Sequence, residues 1–283
     1  MRLSLHTDAQ TFLAAAGPML YTRETVNNLI LGVSERLARA PHAYENPFFA
    51  TVNSDDGEIC LAAVMTPPHN LILAGEPGAE TGFATLIDLL KGYLIPTPGV
   101  VAAAELAEQF AADWTQLTGE VGEVSMRMRV YELRQVSLST FPHGTFQQAC
   151  PADIPTIARW MQAFEHEALG KTHDLDIPRA EQLVTAGNAF TWMLGDQPVS
   201  MAMKSRPIAH SITVGGVYTP PEQRCHGYAS AVVANLSQHL LDEGYQFVNL
   251  FTDLDNPTSN QVYQDVGYHP VHDFLAYRFT KAA

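Results

Sequence analysis

The sequence predicts an α/β (α+β) fold made of two tandem domains, each a mixed and mostly antiparallel sheet flanked by helices. Three observations carry this. Apolar residues make up 46% and charged residues 16% of a 283-residue chain, enough for a real core and far from a disordered composition. That length suits two ordinary domains. One order of elements also occurs twice, roughly 140–150 residues apart, which is domain size.

The second copy is the clearer of the two. "TFQQAC" (145–150) reads as a short strand, and "PADIPTIARWMQAFEHEAL" (151–169) as a helix opened by Pro and Asp with apolar residues at helical spacing. "IPRAEQLVTAGNA" is a second helix. "FTWML", the turn "GDQ", "PVSMAMKSR" and "HSITVGGVYT" read as a three-stranded meander. "GYASAVVANLSQHLLDEG" is an amphipathic helix closed by glycine, and "QFVNLFTD" a strand apolar enough to be buried on both faces. A short helix, "PTSNQVYQDVG", and a last strand, "DFLAYRFT", complete it.

The first copy repeats that order in outline. "RLSLHT" predicts a strand, and 8–39 carries helical periodicity. "PFFATVN", "EICLAAVM" and "NLILAG" predict a second meander, with "SDDG" as its hairpin turn. "GFATLIDLLKGYL" is a helix, "GVVAAA" a strand, "ELAEQFAADWTQLTG" a helix and "EVSMRMRVYEL" a strand. The expected boundary lies near "STFPHGT" (139–145), giving domains 1–140 and 141–283.

The net charge of −14 argues against a nucleic-acid partner held by phosphate contacts and against docking on an anionic membrane. It suits a cationic small molecule, and equally an acidic protein kept soluble by its charge. Cys60, Cys150 and Cys225 lie far apart and form no CxxC pair, so neither a disulfide framework nor a zinc site follows. The first twenty residues make a weak signal peptide and are too short to span a bilayer, so a cytoplasmic location is expected.

The stretch "VYTPPEQRCHGYASAVV" passes from a strand into a helix. Unpaired N–H groups and the dipole at a helix start favour an anion, and Gly227, followed by Ala229, lets a bulky group approach the main chain. Arg224 and His226 add positive charge at the rim, while Pro220 and Pro221 set the loop's entry angle. Alone, the stretch reads equally well as a turn without a ligand.

The segment Arg224-Cys225-His226-Gly227-Tyr228-Ala229 resembles the Q/R-x-x-G-x-G/A signature of the GCN5-related N-acetyltransferases (GNAT). The element order is similar to that fold too, and so is "NPTSNQVYQDVGY", in which Asn256, Ser259, Tyr263, Gly267 and Tyr268 fit the family's spacing on the acyl-coenzyme A side of its cleft. The resemblance covers 145–283 well and the first half in outline. It implies tandem GNAT-like domains, with the first a degenerate, structural copy and the second a catalytic one that uses acetyl-CoA as co-substrate and no metal. Cys225 and His226 depart from the glycine and basic residue often found there, which implies a weaker hold on the coenzyme.

The resemblance further implies a coenzyme site built from Val217, Tyr218 and Thr219 on the strand, from Arg224, Cys225, His226, Gly227, Tyr228, Ala229 and Ser230 in the cradle, and from Asn256 and Ser259. Tyr263 would protonate the leaving sulfur, a short transfer from a phenol near 10 to a thiol near 8.5. The general base is not visible. Glu165, Glu167, His210 and Asp253 are the titratable groups offered for the acceptor side, each read more readily as a solvated or structural residue. The acidic residues Glu165, Glu167, Asp174 and Asp176 lean towards a small cationic amine, a protein N-terminus or lysine being the other acceptor class.

Three further patterns carry no chemistry. The "HPVH" pair, His269 and His272, lacks matched carboxylates. "FEHEA" lacks the histidine pair of a zinc protease, and Cys225 beside His226 lacks an orienting acid. Aligned on the helix start, "AETGFAT" (79–85) lies over "RCHGYAS" (224–230). There Gly82, Phe83 and Ala84 are expected to keep the turn, while Ala79 replaces Arg224 and Glu76 and Glu80 would repel a diphosphate. Thr115, Ala111 and Glu108 stand for Tyr263, Ser259 and Asn256. The rival readings are an acyl-coenzyme A sensor of the same fold and a nucleotide-binding protein, the second disfavoured by the lack of GxxxxGK[ST] or GxGxxG.

Overall fold

The structure, a computed structural model, describes residues 1–170, 172 and 174–281. In chain order the elements are β1 (Arg2–Leu5), α1 (Ala9–Tyr21), α2 (Asn28–Arg39), β2 (Phe48–Asn53), β3 (Ile59–Met65), β4 (Leu71–Gly75), α3 (Phe83–Gly92), β5 (Gly99–Ala103), α4 (Ala104–Thr118) and β6 (Glu120–Leu133). Then come β7 (Thr145–Gln148), α5 (Ile154–Leu169), α6 (Ile177–Thr185), β8 (Ala189–Leu194), β9 (Gln197–Ser205), β10 (Ser211–Tyr218), α7 (Tyr228–Asp242), β11 (Phe247–Asp253), α8 (Pro257–Val266) and β12 (His269–Lys281). Every predicted element is present, and the helical stretch 8–39 resolves into two helices. The mixed, mostly antiparallel α/β architecture is that expected.

The chain forms two compact units, Met1–Val130 with Val271–Ala283, and Tyr131–Pro270. The sequence placed one boundary at 140/141; the structure divides the chain inside β6 and again inside β12. The reason is strand pairing. Periodicity shows that 273–280 is a strand, but not which sheet it joins.

In the first unit the strands run β1-β2-β3-β4-β5-β12-β6, with β4 and β5 parallel. β12 pairs antiparallel with β5 from Phe274↔Ala103 to Arg278↔Gly99. It brings buried Phe274, Leu275, Ala276 and Phe279, and Phe279 stacks on Trp114 at 4.9 Å between ring centres. Ser125 Oγ donates to the Ala276 carbonyl at 3.1 Å, and Arg129 pairs with Asp273 through two bonds of 2.5 and 2.9 Å.

In the second unit the order is β6-β11-β10-β9-β8-β7, with Tyr131 and Leu133 of β6 fully buried in its core. β10 and β11 run parallel, but their register covers only Ser211↔Phe247, Ile212↔Val248 and Thr213↔Asn249. A buried polar ladder closes this part: Thr213 Oγ1 donates to Asn249 Oδ1 at 2.7 Å, and Asn249 Nδ2 donates to Ser211 Oγ at 3.1 Å. Beyond it the two strands go on to Tyr218 and Asp253 without pairing with each other. Asn249→Ala leaves the Thr213 hydroxyl buried without its acceptor and should cost about 1–3 kcal/mol. Denaturant unfolding checks this, and an unchanged midpoint would show that the ladder is dispensable.

Candidate functional site

The open ends of β10 and β11 face the starts of two helices, α7 and α8. On the β10 side the register with β9 jumps between Gly215↔Met203 and Tyr218↔Met201, a bulge at which Gly216 has φ +56°. Such an irregularity leaves the residues between Gly215 and Tyr218 out of the regular ladder. Ser200, itself buried, anchors the strand end: its hydroxyl donates to the Tyr218 carbonyl at 3.3 Å and shares a 2.8 Å bond with Thr219 Oγ1.

After β10 the chain makes a short 3-10 turn over Pro221–Gln223 and reaches α7 through two left-handed residues, Cys225 at φ +63° and Gly227 at φ +80°. Gly227 is the N-cap, and no side chain caps the helix, so the first-turn amides are left to an outside acceptor. A Cβ at Gly227 would meet nothing closer than Pro142 at 3.9 Å; the conformation, not crowding, demands glycine. Gly227 is exposed, Tyr228 is buried, and Ala229 and Ser230 are half-buried. His226 stacks on Tyr228, with ring centres 5.4 Å apart and an interplanar angle of 10°, and its Nδ1 lies 3.3 Å from the Gln223 carbonyl. Main-chain amides, an open floor and a nearby guanidinium fit an anionic diphosphate.

The guanidinium is already engaged by protein acceptors. Arg224 Nε donates to the Thr219 carbonyl at 2.9 Å, and Nη2 donates to Glu167 Oε2 at 2.6 Å. Glu167 Oε1 also accepts from the Tyr218 hydroxyl at 3.1 Å. Burial, then the Glu167 carboxylate, push the Tyr218 phenol up, with Arg224 opposing.

On the other side, α8 starts at Asn256, whose Oδ1 accepts from Ser259 N at 3.1 Å, followed by Pro257. Both residues therefore build the helix start. Asn260, which the sequence reading passed over, ties this helix down. Its Nδ2 donates to the carbonyls of Asp253 and Asn256, each at 2.8 Å, and its Oδ1 accepts from Tyr131 at 2.9 Å. The only signal was an Asn four residues after the cap, on the inner face of a short helix. Tyr263, one turn on, is 8% exposed, and its hydroxyl has no hydrogen-bond partner among the described residues. Burial pushes its phenol up to about 12. The expected short proton step, from a phenol near 10, is corrected accordingly.

The remaining residues divide. Glu167 joins Arg224. Glu165 accepts from Arg179 at 2.6 Å across α5 and α6, and Asp176 caps α6 by accepting from Arg179 N at 2.9 Å. Asp174 is exposed. Asp253 accepts from Asp255 N at 2.9 Å, which holds the turn into α8. His210 precedes β10, at the far end of an 8-residue strand from Tyr218. It therefore stands roughly 25 Å away along an extended chain and outside the site. His272 Nε2 lies 3.4 Å from Glu105. Among the described residues no group of three or more His, Cys, Asp and Glu could hold a metal.

The corresponding turn in the first unit differs in shape as well as charge. Gly82 has φ −89° and is buried, and a Cβ there would touch Val52 at 3.0 Å. Residues 79–82 form a 3-10 turn that runs straight into α3, with Ala79 fully buried. The expected likeness of this turn to the cradle is thus corrected, because here glycine serves packing. Thr115 is exposed.

Residues 154–268 match the acetyltransferase (GNAT) family. That match takes in most of the second unit. The match spans the bulge, the cradle and the helix that carries Tyr263. No curated protein matches the chain. Among solved structures, a GNAT-family acetyltransferase from Colwellia psychrerythraea is similar at TM-score 0.61 and 11% identity over 99% of this chain and 100% of that one. A GCN5-related N-acetyltransferase from Sphaerobacter thermophilus is similar at 0.63 and 16%, over 98% and 94%. A tandem GNAT protein from the clavulanic acid biosynthesis pathway is similar at 0.56 and 14%, over 99% and 98%. At these identities the likeness is one of fold, and it extends over both units. Acyl transfer is the general chemistry of the GNAT domain. No helix among the described residues is long and apolar enough to cross a membrane.

Proposed function

We propose that the chain is an acetyl-CoA-dependent N-acetyltransferase with one active site, in the GNAT domain, acting on a primary amine by direct attack. The observation that carries this is the uncapped start of α7, entered through Cys225 and Gly227 in left-handed conformations beside two parallel strands whose register ends early. Acetyl-CoA, when bound, supplies a thioester carbonyl open to attack by an amine.

The chain's own residues divide the remaining work. The amides from His226 to Ser230 hold the diphosphate. Main-chain N–H groups at the Gly216–Val217 bulge orient the acyl chain and donate to the oxygen that gains charge. Tyr263 donates a hydrogen bond to the departing sulfur. With its phenol at about 12 and a thiol near 8.5, complete proton transfer would be uphill by about 5 kcal/mol, so the hydroxyl acts by donation while it keeps its proton. The proton lost by the amine leaves through water, and Glu167, the carboxylate beside Tyr218, is already engaged by Arg224.

The acceptor is proposed as a small amine, in keeping with the net charge of −14. The first unit, with its cradle closed by packing, is proposed as a structural copy. Release of free thiol from acetyl-CoA in the presence of a panel of primary amines tests the reading. Amine-dependent release is the expected result. Tight binding of acetyl-CoA without turnover of any amine would point instead to a sensor.

A further inference from the structure

We infer that Glu167 is an internal competitor for the anion site: its carboxylate occupies the Arg224 edge that a coenzyme diphosphate would use. The inference rests on the coenzyme reading proposed above. Within 224–230, Arg224 is the sole Arg or Lys. Its Nε is held by the Thr219 carbonyl at 2.9 Å, which fixes the plane of the guanidinium. Nη2 meets Glu167 Oε2 at 2.6 Å, while the other carboxylate oxygen is held by the Tyr218 hydroxyl at 3.1 Å. The guanidinium carbon also stands 5.8 Å from the centre of the Tyr218 ring. Contacts from α5, the end of β10 and the loop before α7 thus converge on one carboxylate.

An anion at the cradle and Glu167 cannot share that edge, because two negative groups would then meet at hydrogen-bond distance. Arrival of the diphosphate therefore exchanges one anion for another on Arg224 and releases the last turn of α5 from the strand end. The cost of that exchange lowers coenzyme affinity. The two side chains are 44% and 42% exposed, so the pair is a modest one and the exchange is reversible.

The test is a double-mutant cycle read by calorimetric titration with coenzyme A at low ionic strength, using the full chain, Glu167→Gln, Arg224→Gln and the double variant. Glu167→Gln should bind coenzyme A about two- to fivefold more tightly than the parent. Arg224→Gln should bind more weakly, and adding Glu167→Gln to it should give no gain. Thermal unfolding of each variant confirms that it is folded, as the exposure of both side chains predicts. Tightening by Glu167→Gln of the same size with and without Arg224 would overturn the inference in favour of a general charge effect. So would no tightening in the parent background. Absence of coenzyme A binding by the parent chain would instead overturn the coenzyme reading, and this inference with it.

Discussion

Tyr263→Phe is expected to lower kcat by about ten- to a hundredfold while the Kd for acetyl-CoA stays within about twofold. The hydroxyl is the only group removed. It has no partner among the described residues, so its loss leaves no protein acceptor unpaired. A hydrogen bond to a group that gains full charge is worth about 1.5–3 kcal/mol, which corresponds to that range of rates. The ring itself, packed against Tyr268 at 6.0 Å, is kept by phenylalanine, so folding should be little affected. The pH dependence sharpens the prediction. Burial holds the phenol protonated up to about 12, so the ratio of parent to variant rates should be flat from pH 7 to 10. Any rise in rate over that range then belongs to deprotonation of the acceptor amine. A ratio that collapses near pH 9 would mean that Tyr263 titrates there and acts as a true acid.

The second large effect is on stability. A chain ending at Pro270 should fail to form its first unit, although every residue of 1–130 is present. It loses β12, and with it the buried side chains of Phe274, Leu275 and Phe279 and the ladder against β5. At about 1.5–3 kcal/mol for each large apolar side chain, the loss is roughly 5–9 kcal/mol, comparable to the whole stability of a domain. The isolated segment 1–140 should be unfolded for the same reason. Circular dichroism and limited proteolysis check both, and a peptide spanning 271–281 should restore protection when added back. A 1–140 fragment that unfolds cooperatively on its own would contradict the unit boundaries described above.

These two expectations mark where the sequence could and could not be read. Elements were legible because their signals are local. Pro257 after Asn256 starts a helix, Gly267 ends it, and the apolar run of β11 is set by its own residues. The partner of a strand is not local. "DFLAYRFT" reads the same whichever sheet it completes, so its place beside β5, across more than 160 residues of chain, was invisible. The pairing of Arg224 with Glu167 is hidden likewise, since the two are 57 residues apart. Each was legible as a charge near the cleft, but not as the other's partner.

Backbone conformation sits between these cases. Cys225 stands where glycine is common in the family it resembles, and its φ of +63° gives the reason. Gly82 aligned with Gly227 yet takes a negative φ, because Val52 fills the space beside it. A glycine in a sequence permits a left-handed turn without requiring one. The first unit's loss of a cradle is therefore a matter of packing as much as of the missing arginine.

The central claim is that one cradle, at the start of α7, binds the coenzyme. Calorimetric titration of the full chain with acetyl-CoA tests it most directly, with the Gly227→Val variant as control, since a β-branched side chain at φ +80° distorts the turn and fills its floor. One site per chain, lost in the variant, is the predicted result. Two sites per chain, or one that survives Gly227→Val unchanged, would contradict the account.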